Sequence, residues 1–169
     1  MRDGEIAYQM LSRTNIAFGG LAVVTVALAS VIGQFATLPN LAPWYAGLIK
    51  PAFNPPSWVF APVWTTLYVL MAFAVWRILC LPRDIRGRRL ALILYFVQLG
   101  MNAAWPWMFF GAQSPLLGMI NIVPQMLLIC ATIVKFYQLD KIAALCLVPL
   151  IAWVGFACVL NLEIWRLNS

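Results

Sequence analysis

The chain has 169 residues, 64% of them hydrophobic and only 9% charged, with a formal net charge of +6 and a mean hydropathy of +0.90. A soluble domain carries about 25% charged residues, so this composition excludes an ordinary water-soluble fold and points to a bilayer. The cations lie between apolar runs, which argues against a nucleic-acid partner, and four cysteines without CxxC spacing, in a chain with no histidine, argue against a metal site.

The residues before 16, with Arg2, Asp3, Glu5 and Arg13, form a short polar leader (1–15). Arg13, an apolar run and Ala27-Leu28-Ala29 also have the form of a signal peptide. The run continues to Ala36, longer than a usual signal core, so residues 1–29 are expected to be retained. Five apolar stretches follow, at about 16–37, 57–81, 89–111, 115–138 and 142–166. Each is long enough to cross about 30 Å of hydrocarbon. They are continuously apolar rather than alternating, which favours helices over barrel strands. The fold class is an all-α membrane protein, a single five-transmembrane-helix bundle over residues 16–169.

Three of the four joints are short, and the first, roughly 38–56, is long. From Trp44 to Tyr68 the chain reads WYAGLIKPAFNPPSWVFAPVWTTLY. Pro51, Pro55 and Pro56 favour extended or turn geometry. Trp44, Tyr45, Phe53, Trp58 and Trp64 supply flat apolar surfaces, and Lys50 is the lone cation. The segment is expected to be a structured lid over a pocket. Nine cations (Arg2, Arg13, Arg77, Arg83, Arg86, Arg88, Arg89, Lys135, Lys141) fall on one side of a five-span topology and two (Lys50, Arg166) on the other. By the positive-inside rule the N-terminus is cytoplasmic and the lid faces outward, with a bacterial inner membrane the expected location. Arg83 to Arg89 is the main anchor; topology alone accounts for it, with attraction of anionic lipid the lesser reading.

Polar residues inside the spans form stripes. Gln98, Asn102 and Trp105 are spaced i, i+4, i+7; Asn121 and Gln125 are i, i+4; Trp153, Ala157 and Asn161 are i, i+4, i+8; Trp64, Tyr68 and Met71 are i, i+4, i+7. At about 1.5 Å per residue, Asn102 lies roughly 13 Å, Asn121 roughly 9 Å and Trp64 roughly 10 Å below the lid ends of their spans. Such residues either bond helices together, each contributing roughly 0.6–2 kcal/mol, or line a pocket. Their clustering beneath the lid favours the pocket. Trp44, Trp58, Trp76 and Trp165 also suit an interfacial belt, whereas Trp64, Trp105 and Trp153 lie deeper. Pro62, Pro106, Pro124 and Pro149 are candidate kinks.

Taken together, Trp44-Tyr45, Lys50-Pro51, Asn54-Pro55-Pro56, Trp58-Val59-Phe60, Trp64-Thr65-Thr66-Leu67-Tyr68, Gln98, Asn102, Trp105, Phe109-Phe110-Gly111, Val148-Pro149, Trp153, Ala157 and Leu160-Asn161 through Asn168 resemble the TspO/MBR family. These are the tryptophan-rich sensory proteins, a family that includes the mitochondrial translocator protein, or peripheral benzodiazepine receptor. The resemblance spans roughly residues 40–168. It implies five helices, a pocket under the first loop, frequent homodimers, and porphyrin or haem as ligand with no required cofactor. By the resemblance Gln98, Asn102, Trp105 and Ala157 match pocket-lining positions; with the lid and the stripes, the candidate binding residues are Trp44, Phe53, Pro55, Trp58, Trp64, Tyr68, Gln98, Asn102, Trp105, Asn121, Trp153, Ala157 and Asn161. Some bacterial members promote light- and oxygen-dependent porphyrin breakdown, and Trp64 and Trp153 match the tryptophans implicated there.

Two departures stand out. Ala52 and Phe53 occupy the place where many members carry tryptophan, which reduces stacking area. The end of span five, Leu160 to Arg166, lacks the tyrosine of the cholesterol motif, so cholesterol is not carried over. Three functions follow: a tetrapyrrole-binding sensory or regulatory protein, an enzyme-like protoporphyrin degrader, or a transporter of small apolar ligands. There is no nucleophile–base pair for conventional catalysis. Lys50 suits either a propionate partner or an interfacial anchor.

Overall fold

The computed structural model describes residues 13–169; residues 1–12 of the expected leader lie outside the described residues, and residues 13–15 already belong to the first helix. In chain order the helices are α1 (Arg13–Leu41), α2 (Ser57–Leu79), α3 (Arg88–Pro106), α4 (Pro115–Leu139), the short α5 (Lys141–Leu145) and α6 (Val148–Leu167). A 3-10 turn covers Tyr45–Gly47, and a π-helical turn, Trp107–Gly111, extends α3. Five helical segments are long and apolar enough to cross a membrane, counting α5 and α6 as one. No strand occurs among the described residues. The chain is an integral, multi-pass membrane protein.

The sequence explains how these helices meet. In α1 the buried residues are Ala22, Val26, Ala29, Gly33 and Ala36, a seam of small side chains at alternating spacings of four and three. Large residues such as Val23, Leu28 and Phe35 point outward, as they should where lipid is the solvent. A Cβ on Gly33 would lie 3.1 Å from the Pro106 ring, so glycine there permits the close crossing of α1 and α3. The helix runs four residues past its predicted end at 37. Thr37 and Asn40 bond back to the carbonyls of Gly33 and Ala36, which satisfies their polarity within the helix. Indole N–H groups fasten α1 at both ends: Trp76 donates to the Asn15 carbonyl (2.8 Å) and Trp107 to that of Ile32 (3.0 Å).

Two predicted spans are less regular than expected. The third was expected as one helix to 111. Proline at 106 ends the regular turns, and the next five residues open into the wider π turn, with Ala112 N–H donating to the Trp107 carbonyl (2.7 Å) and Ser114 N–H to that of Phe109 (3.0 Å). The fifth was expected as one helix over 142–166 but breaks at Cys146 and Leu147. Pro149 has no N–H to continue the ladder, and the Leu147 N–H bonds the Ala144 carbonyl instead.

The helices pack in the order α2–α1–α3–α4–α6. α2 and α6 therefore stand at the two ends of the contact order and form the walls of a seam. At the arginine-rich end α5 packs on α2 and closes that seam. There Arg77 grips Asp140 (Nη2–Oδ2 and Nε–Oδ2 both 2.8 Å), while Asp140 Oδ1 caps α5 through the N–H groups of Ile142 and Ala143.

Arg88 does more than set topology. Its guanidinium is buried and donates to the last carbonyls of α2, Ile78 (3.0 Å) and Leu79 (2.9 Å). The last carbonyls of a helix lack the N–H of a following turn, and here Ile78 is left with a long bond from the Leu81 N–H (3.3 Å), so the guanidinium supplies what the helix end lacks. Gly87, at φ 89°, makes the left-handed turn that brings Arg88 back beneath α2. Arg88→Ala is expected to destabilise the folded chain by about 2–4 kcal/mol, and Arg86→Ala, at an exposed position, by less than about 0.5 kcal/mol. Unfolding in detergent of the two variants side by side checks this; equal effects would contradict it.

Candidate functional site

At the end of the bundle away from the arginines, residues 42–56 fold down onto the helix ends. Trp44 and Tyr45 meet Phe109 and Phe110 edge-to-face, at ring separations of 5.3–6.2 Å. The π turn is what makes this contact, because it turns both phenylalanines inward, where they are buried. Phe109 also stacks on Trp105 of α3 (4.8 Å, 17°). The loop is held at two further points. The Tyr45 hydroxyl donates to Asn54 Oδ1 (3.3 Å), and burial pushes that phenol's pKa up. Asn168, just past α6, pairs with Ile49 like a strand neighbour: Ile49 N–H donates to its Oδ1 and its Nδ2 donates to the Ile49 carbonyl, both at 2.9 Å.

Beneath the loop, α3 ties both walls of the seam. Tyr68 of α2 donates to Asn102 Oδ1 (3.0 Å), and Trp105 Nε1 donates to Asn161 Oδ1 of α6 (3.3 Å). Asn161 Nδ2 in turn donates to the Pro115 carbonyl at the start of α4 (2.7 Å). Across the seam the walls meet through rings: Phe60 of α2 against Trp153 of α6 (5.8 Å), Trp153 against Phe156 (5.4 Å), and Phe53 of the loop against Phe156 (6.3 Å). Trp64 lies against Tyr68 (5.4 Å), and neither Trp64 nor Trp153 is in ring contact with the other. Tyr68 also lines a groove of about 470 Å³ between α1 and α2, while its hydroxyl reaches inward to Asn102.

The predicted residues thus divide. Trp44, Phe53, Asn102, Trp105, Trp153 and Asn161 come together around the seam, with Ala157 beside Trp153 and Trp64 reaching it through Tyr68. Trp58 does not join them: it is 73% exposed on the first turn of α2. Pro55 contributes a carbonyl that accepts from Asn54 Nδ2. Lys50 directs its ammonium to the Ala46 and Leu48 carbonyls and lies 4.6 Å above the Tyr45 ring, bracing the loop from within. Gln98 and Asn121 are buried, and neither Gln98 Nε2, Gln98 Oε1 nor Asn121 Oδ1 has a hydrogen-bond partner.

Sequence reasoning missed Phe60, Phe156 and Gly118. Phe60 stands i−4 from Trp64 and Phe156 i+3 from Trp153, so helical spacing carried that signal. Gly118 left none, because its role depends on the neighbouring helix. A Cβ there would lie 2.5 Å from Asn161 Oδ1 and 2.9 Å from the Phe109 ring.

A bundle of five spans with an aromatic loop folded on one end is a small polytopic membrane protein with its polar contacts turned inward. Residues 21–166 match the TspO/MBR family model, and the chain belongs to that family. It is 40% identical over 131 residues to the tryptophan-rich protein TspO of Chlorobaculum tepidum (77% of this chain, 83% of the relative). It is 37% identical over 149 residues to that of Archaeoglobus fulgidus (88% and 94%). The translocator protein of Homo sapiens is 40% identical over 128 residues (74% and 75%).

Gly118→Ala is expected to push Asn161 and Phe109 aside and destabilise the chain by about 1–3 kcal/mol. Gly100→Ala, where a Cβ meets nothing within 4 Å, should leave stability unchanged or slightly raised. Thermal unfolding in detergent distinguishes the two sites.

Proposed function

We propose that the protein binds a tetrapyrrole, porphyrin or haem, in the loop half of the bundle, and acts as a membrane sensory or regulatory protein. The seam between α2 and α6, with α3 as its floor, is the binding place. A porphyrin is a broad aromatic plate with polar edges. The rings of Phe60, Trp153 and Phe156 suit its faces, where aromatic contacts add to the gain from burial. The observation that carries the reading is the unbonded amide of Gln98, one turn from Asn102, together with Asn121 Oδ1. A buried amide with neither end bonded carries a desolvation penalty of about 1–3 kcal/mol per group, and a polar ligand edge relieves it. The cation distribution supports a cytoplasmic N-terminus and a loop facing outward from an inner membrane.

This reading predicts opposite signs for one substitution. Gln98→Met removes the unbonded amide while nearly keeping its volume, so folding stability should hold or rise. Porphyrin affinity should fall about tenfold, the loss of one to two hydrogen bonds. Quenching of tryptophan fluorescence by protoporphyrin IX in the dark measures the affinity. Unchanged affinity, or loss of stability together with affinity, would overturn the role of Gln98. Repeating the titration in light and air tests the enzyme-like alternative, which requires depletion faster than in empty detergent and slowed by Trp153→Phe.

A further inference from the structure

At the opposite end of the bundle, a groove of about 610 Å³ runs along the outer face of α3, lined by Arg83, Arg88, Arg89, Leu92, Ile93, Phe96 and Val97. Its two parts differ in chemistry. At the mouth stand the guanidiniums of Arg83 and Arg89, both on exposed residues. The ion pairs among the described residues are Arg77–Asp140 and Glu163–Arg166, so neither groove arginine has a carboxylate partner. Arg88 is different, being already spent on the carbonyls of Ile78 and Leu79. Below the mouth the lining turns wholly apolar. Ile93 and Val97 are one helical turn apart and about half exposed, with Leu92 and Phe96 beside them. From Arg89 to Val97 this strip is roughly 12 Å long at 1.5 Å per residue.

We propose that this groove holds one anionic phospholipid, with its phosphodiester between Arg83 and Arg89 and one acyl chain lying along Leu92, Ile93, Phe96 and Val97. Charge complementarity selects the occupant. Unpaired guanidiniums bind a phosphate well, and they oppose the choline or ammonium of a zwitterionic headgroup. The apolar strip runs from the headgroup level toward the bilayer centre, the direction an acyl chain takes. The N-terminus of α3, which no side chain caps, adds its positive end at the same place. The topological role of these cations requires only that they stay on one side of the membrane; it does not require two of them to flank a groove. The inference is independent of the tetrapyrrole site, which lies at the other end of the bundle.

The test uses the full chain in neutral detergent, titrated with a fluorescent phosphatidylglycerol and with the matching phosphatidylcholine. Phosphatidylglycerol should bind at least tenfold more tightly, and the preference should shrink as salt is raised. In R83Q/R89Q, at roughly 1 kcal/mol for each cation lost, its affinity should fall about thirtyfold with phosphatidylcholine unaffected. R83K/R89K should restore most of it, and excess inorganic phosphate should displace no more lipid than sodium chloride at the same ionic strength. Arg88 stays intact in every variant, so the α2 cap is kept, and the unfolding midpoint verifies the fold. Equal binding of the two lipids to the wild-type chain would overturn the proposal without recourse to any variant. So would an undiminished preference in folded R83Q/R89Q, or displacement by phosphate well beyond that by chloride at matched ionic strength, which would make this a site for a free anion.

Discussion

Asn161 has only protein to bond to, and the loop half of the bundle is arranged around that fact. Hydrocarbon offers no water to a buried amide, so a polar atom without a protein partner is costly, and both ends of Asn161 find one on a neighbouring helix. Its carbonyl oxygen accepts from Trp105 on α3 and its nitrogen donates to Pro115 at the start of α4. Three helices are thus fixed by one side chain. The contact is possible because Gly118 presents no Cβ, and because Pro106 ends the regular turns of α3 before the π turn brings Phe109 inward. With α6 tied to α3 and α4 in this way, its earlier turns, carrying Trp153 and Phe156, look across to Phe60 of α2.

The two ends of the molecule are closed differently. At the arginine-rich end the closure is ionic: Arg77 with Asp140, and Arg88 over the last carbonyls of α2. Charge-assisted bonds of this kind are strong and short-ranged. At the loop end the closure is aromatic, made of edge-to-face rings and a single strand-like pair between Asn168 and Ile49. Ring contacts contribute only about 0.5–1.5 kcal/mol each beyond their buried area, and they can be re-made with a flat guest. A rigid arginine-rich end and a re-formable loop end support the proposed entry of a ligand beneath the loop.

Much of this was legible in the sequence. Continuous apolar runs marked the five spans, because a bilayer demands length and apolarity whatever the packing. The stripe Gln98, Asn102, Trp105 marked the inward face of α3, since helical periodicity places residues on one side before any neighbour is known. What depended on a neighbour was not legible. Gly118 is meaningful only beside Asn161, and Arg88 only beneath α2. The end of α1 was read four residues short because Pro39 and Asn40 look like loop residues until the bond of Asn40 back to Ala36 is seen. Trp58 carries the same side chain as Trp153, yet it lies on the outer face of the first turn of α2, and composition cannot tell those two places apart.

The central claim is that the seam between α2 and α6 receives the ligand. The most direct measurement is to irradiate the protein with bound protoporphyrin IX and locate the oxidised tryptophans by mass spectrometry. The account predicts oxidation concentrated on Trp153 and Trp64, lost when a competing dark ligand fills the seam. Oxidation confined to the exposed Trp58, Trp107 and Trp165, with Trp153 untouched, would place the porphyrin on the lipid-facing surface and contradict it.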